Sequence, residues 1–88
     1  MTEKELIIPN VLGLHARPAA LLAQEAGRFK SAVFISKNGM EVNAKSIMGL
    51  MLLAAECGSK IKIRVDGPDE ATAIDALKRL FEKKFGEQ

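Results

Sequence analysis

AVFISKNGMEVN, residues 32–43, carries the clearest local instruction in the chain. Val33 and Ile35 alternate with Phe34 and Ser36, and Met40 and Val42 resume the alternation after Asn38-Gly39. That dipeptide supplies what a type I′ turn requires, two central residues that tolerate positive φ. The stretch therefore predicts a β-hairpin. A hairpin can leave one face to water, so the rest of the chain is expected to cover only the other.

Upstream, KELII at residues 4–8 predicts a first strand, closed by Pro9 and Asn10. A helix is expected over Ala16–Ala26, with Gly27 as its stop. Ala19, Leu22, Ala23 and Ala26 recur at helical spacing, and small residues let that face pack closely on a sheet. Downstream, Ser46 opens a short apolar helix over 47–54, within which Leu50 and Leu53 are the expected core residues. KIKIRVD, 60–66, turns Ile61, Ile63 and Val65 one way and Lys60, Lys62 and Arg64 the other.

A final helix is expected from about Asp69 to Phe85, burying Ala73, Ile74, Leu77, Leu80, Phe81 and Phe85. Asp69 and Glu70 suit its positive end, Lys83 and Lys84 its negative end, and Asp75 can pair with Arg79 one turn on. The order is βαββαβα, an α+β chain with one sheet and helices on one face. Local patterns leave the strand order open.

Composition narrows the function. The 88 residues suit one domain over 1–88, with 48% apolar and 27% charged residues, a globular balance. A net charge of +2, with acidic and basic residues interleaved, gives no nucleic-acid footprint. The single cysteine, Cys57, excludes an intramolecular disulfide and a cysteine-rich metal site. MTEKELIIPN does not read as a signal peptide. IMGLMLLAA, 47–55, falls far short of the ~20 residues that span a bilayer, so a cytoplasmic protein without membrane insertion is expected.

LGLHARPA, 12–19, is the awkward stretch. A histidine near a loop is ordinarily a surface histidine. Here, however, His15 falls at the N-cap of the expected helix, where Ser, Thr, Asp or Asn is usual. Pro18 in the first turn loses no helical hydrogen bond, yet it disfavours helical dihedrals at Arg17. Such local conflicts gather at functional sites. A helix N-terminus offers unbonded N–H groups, that of Ala16 among them, and positive potential. The neutral imidazole, with its lone pair, is the nucleophilic form of a histidine. The Arg17 guanidinium is a planar fork suited to phosphate oxygens. Nucleophile, N–H donors and guanidinium together fit phosphoryl transfer.

Asn10, Gly13, Leu14, His15, Ala16, Arg17, Pro18 and Ala19 form N-x-x-GLHARPA, which resembles the active-site signature of the HPr family, histidine-containing phosphocarriers of the bacterial phosphotransferase system. AKSIMGLM, 44–51, resembles the family's second signature, around a regulatory serine. Both stand in register, and the resemblance spans nearly the whole chain.

The resemblance implies an open-faced β-sandwich, a four-stranded antiparallel sheet in the order 1-4-2-3 with three helices on one face. It implies that Nδ1 of His15 accepts a phosphoryl group from phosphorylated Enzyme I and passes it to IIA proteins or domains. Arg17 would stabilise the phosphate. The protein would be a monomeric relay between enzymes rather than an independent catalyst, with no cofactor and no metal.

Ser46 reads plainly as an N-cap worth ~1 kcal/mol. The resemblance adds that it is a phosphorylation site, with HPr kinase/phosphorylase and a transcriptional regulator as further candidate partners. It also makes Ile47, Met48 and Met51 the candidate docking patch, bordered by Arg17 and Gln24. Flexible methionines suit a surface that meets several partners. Cys57 is expected to be inert.

One residue departs from the sugar-pathway pattern. Many such proteins carry a small polar residue where this chain has Leu12, and LGLHAR is also common in the nitrogen-related branch. That branch is the alternative assignment. A ferredoxin-like binding module has a similar element order but would need a Cys-x-x-Cys loop or stacking aromatics on its strands. GLHARP occupies the loop, and the strands offer only Phe34. A purely regulatory relative would lack the histidine.

Overall fold

The computed structural model describes residues 1–86, so the last two positions of the expected 1–88 domain lie outside the described residues. The elements are β1 (Thr2–Ile7), α1 (Ala16–Ala26), β2 (Ala32–Lys37), β3 (Met40–Asn43), α2 (Ile47–Leu53), β4 (Lys60–Asp66) and α3 (Glu70–Glu82), followed by a 3₁₀ turn at Lys84–Gly86. The sheet runs β1-β4-β2-β3, all neighbours antiparallel. This is the open-faced sandwich in the order 1-4-2-3.

The hairpin forms as its sequence predicts. Asn38 and Gly39 take φ of 51° and 84°, both positive as a type I′ turn demands. Lys37 pairs with Met40 across it. In register, Val33 faces Val65 and Ile35 faces Ile63, and these four side chains, with Ile61, are buried under the helices. The other face carries Arg64 stacked on Phe34 at 4.5 Å and forked onto Glu41 at 2.8 and 3.2 Å. Those bonds hold the Glu41 carboxyl below its ordinary range. Met40, at the hairpin tip, is exposed and does not continue the buried alternation.

The helices seal one face. Ala19, Leu22, Ala23 and Ala26 of α1 are all buried, as are Leu50 and Leu53 of α2 and Ala73, Leu77 and Phe81 of α3. Ile74 and Leu80 pack at the margin. Asp75 and Arg79 pair at 3.1 Å. No described helix is long and apolar enough to cross a membrane.

Two local expectations are corrected, and one, the helix over Ala16–Ala26, holds against a local preference. The first strand is Thr2–Ile7 rather than 4–8. Arg17 is helical despite Pro18, because Pro18 is buried in the core and Ala19 N–H already closes the first turn on the His15 carbonyl at 2.9 Å. α3 stops at Glu82 rather than near Phe85. Lys84 and Phe85 turn left-handed, at φ of 53° and 54°, and this folds the Phe85 ring back onto Phe81, with centroids 4.9 Å apart. Burial of that ring offsets the backbone cost of two left-handed residues.

Asp69 stands at the N-cap of α3 but makes no side-chain bond to its own helix. Its carboxylate accepts instead from the Ser31 hydroxyl and from the N–H groups of Lys30 and Ser31, both at 2.9 Å, tying α3 to the turn between α1 and β2. The Ser31 hydroxyl first, then the Lys30 amide, lowers its pKa to about 2. The folded value lies below the unfolded one, so this contribution is complete above pH ~4 and is lost as pH falls toward 2. We expect the urea midpoint to fall over that window, and to fall less steeply in Asp69→Asn. Equal slopes for both chains would show that Asp69 does not control the acid limb.

Candidate functional site

The site is built where β1 hands over to α1. Residues 9–14 form a loop pinned on both sides. The Asn10 side-chain amide donates to the Gly13 carbonyl at 2.7 Å, and Gly13 N–H donates to the Asn10 carbonyl at 3.1 Å. Leu14 N–H donates to the Ala55 carbonyl at 2.8 Å, and Leu14 is buried. Gly13 takes φ +73°, and a Cβ there would stand 2.7 Å from the Ala55 oxygen. Only glycine lets the loop lie this close to the segment leaving α2.

His15 then turns the chain into α1. Its backbone is extended, at φ −85° and ψ −168°, and its side chain makes no bond capping its own helix. The ring is half-exposed. After it come the N–H groups of Ala16 and Arg17, which have no intrahelical acceptor, then Pro18, which has no N–H at all. The first turn thus presents two donors beside the imidazole, and the Pro18 ring goes inward. Arg17 is exposed, and no carboxylate pairs with it among the described residues. A half-exposed imidazole, two outward amides and an unneutralised guanidinium can receive a tetrahedral dianion and release it again.

Ser46 lies on the neighbouring helix. It is the N-cap of α2, and its hydroxyl accepts from Gly49 N–H at 3.0 Å. Ile47, Met48 and Met51 are exposed on α2, as the sequence leads one to expect, while Leu50 and Leu53 point into the core. Gln24 is exposed on α1, which packs against α2. Ala54 ends α2 in the left-handed region at φ 52°, and the Lys37 ammonium satisfies its carbonyl at 3.1 Å. Cys57 is exposed in the turn that follows.

Several features lie beyond the sequence reading. Leu52 and Val11 are large, apolar and exposed, and so is Leu12. Leu52 stands four residues after Met48, on the same face of α2, so helical spacing carried a signal for it, while loop residues have no periodicity to read. Asn10 belongs to the quoted motif, but nothing local shows that its amide braces the loop.

A model of the PTS-HPr family, described as the PTS HPr component phosphorylation site, matches residues 2–83. The chain is 56% identical over 87 residues to the phosphocarrier protein HPr of Xylella fastidiosa strain 9a5c, covering 99% of this chain and 98% of that one. It is 49% identical to the phosphocarrier protein HPr of Treponema pallidum strain Nichols, covering the whole of both. The crystal structure of HPr-C-His from Thermoanaerobacter tengcongensis superposes with a TM-score of 0.96 at 49% identity, covering 100% of this chain and 99% of that one. Fold, motif and full-length identity agree: the chain belongs to the HPr family, the phosphocarriers of the phosphotransferase system.

Proposed function

We propose that the chain takes a phosphoryl group from phospho-Enzyme I onto Nδ1 of His15 and passes it to the histidine of a IIA protein or domain, as a cytoplasmic relay of the sugar branch. The observation that carries this reading is His15 at the mouth of α1, half-exposed, followed by the outward Ala16 and Arg17 amides. In the transfer, the Nδ1 lone pair forms the new N–P bond as the donor's N–P bond breaks. The donor imidazole takes back that electron pair. The three equatorial oxygens carry the charge, and the two amides with the Arg17 guanidinium are placed to meet it. Both ends of the reaction are phosphohistidines, so the bond broken and the bond made are alike and the step is reversible. An exposed site suits a relay, since tight enclosure of the phosphate would hinder its release.

The test is incubation with phosphoenolpyruvate and Enzyme I, followed by mass spectrometry. One acid-labile phosphoryl group per chain, mapped to His15, is the expected result. A competent Enzyme I that transfers none would overturn the reading.

Ser46 is the proposed second phosphorylation site, a substrate for HPr kinase/phosphorylase. Ser46 is partly exposed, and it sits directly before Ile47 and Met48. A phosphate would add about −1.5 to −2 charges at the edge of the apolar patch. We expect the phosphomimetic Ser46→Asp to keep its cap, since aspartate also caps helices, but to slow uptake from Enzyme I about tenfold or more through KM. Uptake at the wild-type rate would remove the regulatory role.

A further inference from the structure

Gly49 is the odd residue of α2. It is the third of the seven residues Ile47–Leu53, inside a helix where glycine is a poorer choice than alanine. So short a helix has little intrinsic stability to give away. The usual reasons for a glycine do not apply. Its backbone is ordinary right-handed helix, open to any L residue. An added Cβ would meet first the Ser46 Oγ at 3.3 Å and the Ser46 Cβ at 3.4 Å. The next atom out, the Asn43 carbonyl oxygen at 3.5 Å, lies at ordinary contact distance. What the missing side chain leaves is room beside one hydroxyl. That hydroxyl is held in place, because the Gly49 N–H donates to its Oγ at 3.0 Å. Ser46 and Gly49 are both partly exposed, so the room opens toward solvent.

We propose that Gly49 is a positioning residue for phosphorylation of Ser46: by carrying no side chain, it keeps clear the space that the incoming phosphoryl group, and then the bound phosphate, must occupy. The inference rests on the reading of Ser46 as a kinase substrate given above. The chemical step sets the demand for space. One lone pair of the Ser46 Oγ is engaged by the Gly49 N–H, and the other attacks the phosphorus of a phosphoanhydride donor held by the kinase. The new O–P bond forms as the bond from phosphorus to the donor's bridging oxygen breaks. The leaving phosphate keeps that electron pair, and the hydroxyl proton passes to a base of the kinase. Throughout, three equatorial oxygens stand out around the phosphorus, close beside Oγ. A methyl carbon 3.3 Å from Oγ takes up part of the space those oxygens sweep. The hydroxyl cannot swing clear of it without giving up its bond to the Gly49 N–H.

The test measures phosphorylation of Ser46 by HPr kinase/phosphorylase in the wild-type chain, Gly49→Ala and Gly49→Val, with thermal unfolding of each. Gly49→Ala is expected to lower kcat about tenfold with KM within about twofold, because only the approach to the reacting atom is crowded. Gly49→Val, bulkier at the same place, should lower kcat further. The melting temperature of Gly49→Ala should stay within about 5 °C of wild type, since alanine's better helix propensity offsets its tight contact. An unchanged kcat in Gly49→Ala overturns the proposal, and so does a rise in KM alone, which would make position 49 part of the kinase's grip. A kcat that falls only together with a melting temperature lowered by more than about 5 °C would assign the loss to a displaced helix start, and also overturns it. A wild-type chain that the kinase leaves unphosphorylated defeats the Ser46 reading and this proposal together. A phosphorylated wild type with an unaffected Gly49→Ala defeats this proposal alone.

Discussion

His15→Ala is expected to lose phosphoryl uptake by at least about a thousandfold and to keep its melting temperature within a few degrees. The two halves of that result have separate causes. Uptake fails because the imidazole lone pair is the bond-forming group, and the amides of Ala16 and Arg17 can orient a phosphate but not accept one covalently. Stability is largely kept because two backbone hydrogen bonds at this position do not involve the side chain. The His15 carbonyl accepts from Ala19 N–H at 2.9 Å, and its own N–H donates to the Gly13 carbonyl at 3.0 Å. Both bonds remain in alanine, and no side-chain cap is lost. The measurements are label incorporation from phosphoenolpyruvate and thermal unfolding followed by circular dichroism. Acid-labile label persisting on His15→Ala would place the acceptor elsewhere on the chain.

Gly13→Ala carries the largest expected cost in stability. At φ +73° an added Cβ pays the left-handed penalty of about 1–2 kcal/mol. It also meets backbone, the Ala55 oxygen at 2.7 Å and the Glu56 Cα at 3.0 Å, and backbone yields less readily than a side chain. Overpacking of that kind costs about 1–3 kcal/mol. Together these give about 2–5 kcal/mol, which lowers the melting temperature of a domain this size by about 10–40 °C. The loop that carries Val11 and Leu12 and bonds the His15 amide would shift as well, so slower uptake below the new melting point is expected. A melting temperature within about 3 °C of wild type would mean that the loop and the 54–57 segment separate freely.

Much of this was legible in local sequence, and the particulars show why. The Asn38-Gly39 turn, the limits of α1 and the inward and outward faces of β4 all follow from periods of two or 3.6 and from turn chemistry. These depend only on residues within a turn or two of one another. His15 and Arg17 stood out by a similar local logic, as poor choices for the backbone positions they hold. Where tertiary contacts outweighed local preference, the patterns fell short. Pro18 disfavours a helical Arg17, and burial of its ring overrides that. Phe85 continues the apolar stripe of α3, yet it is buried by reversing the chain onto Phe81.

What the sequence by itself determined is the set of elements, their polar and apolar faces and the chemical character of the His15 stretch, since each arises from short-range sterics and periodicity. The tertiary structure alone decided what meets what. Placing β4 between β1 and β2 sets Val65 opposite Thr2 on one side and Val33 on the other, partners distant in sequence. Asp69 finds Ser31 because β4 pairs with β2, Asp66 opposite Ala32, which brings the start of α3 to the turn before β2. Gly13 is required only because the Ala55 carbonyl, from beyond α2, occupies the space a side chain would fill. The same approach sets the loop before His15 against the segment that leaves α2, and no local pattern encodes it, because it joins two loops distant in sequence.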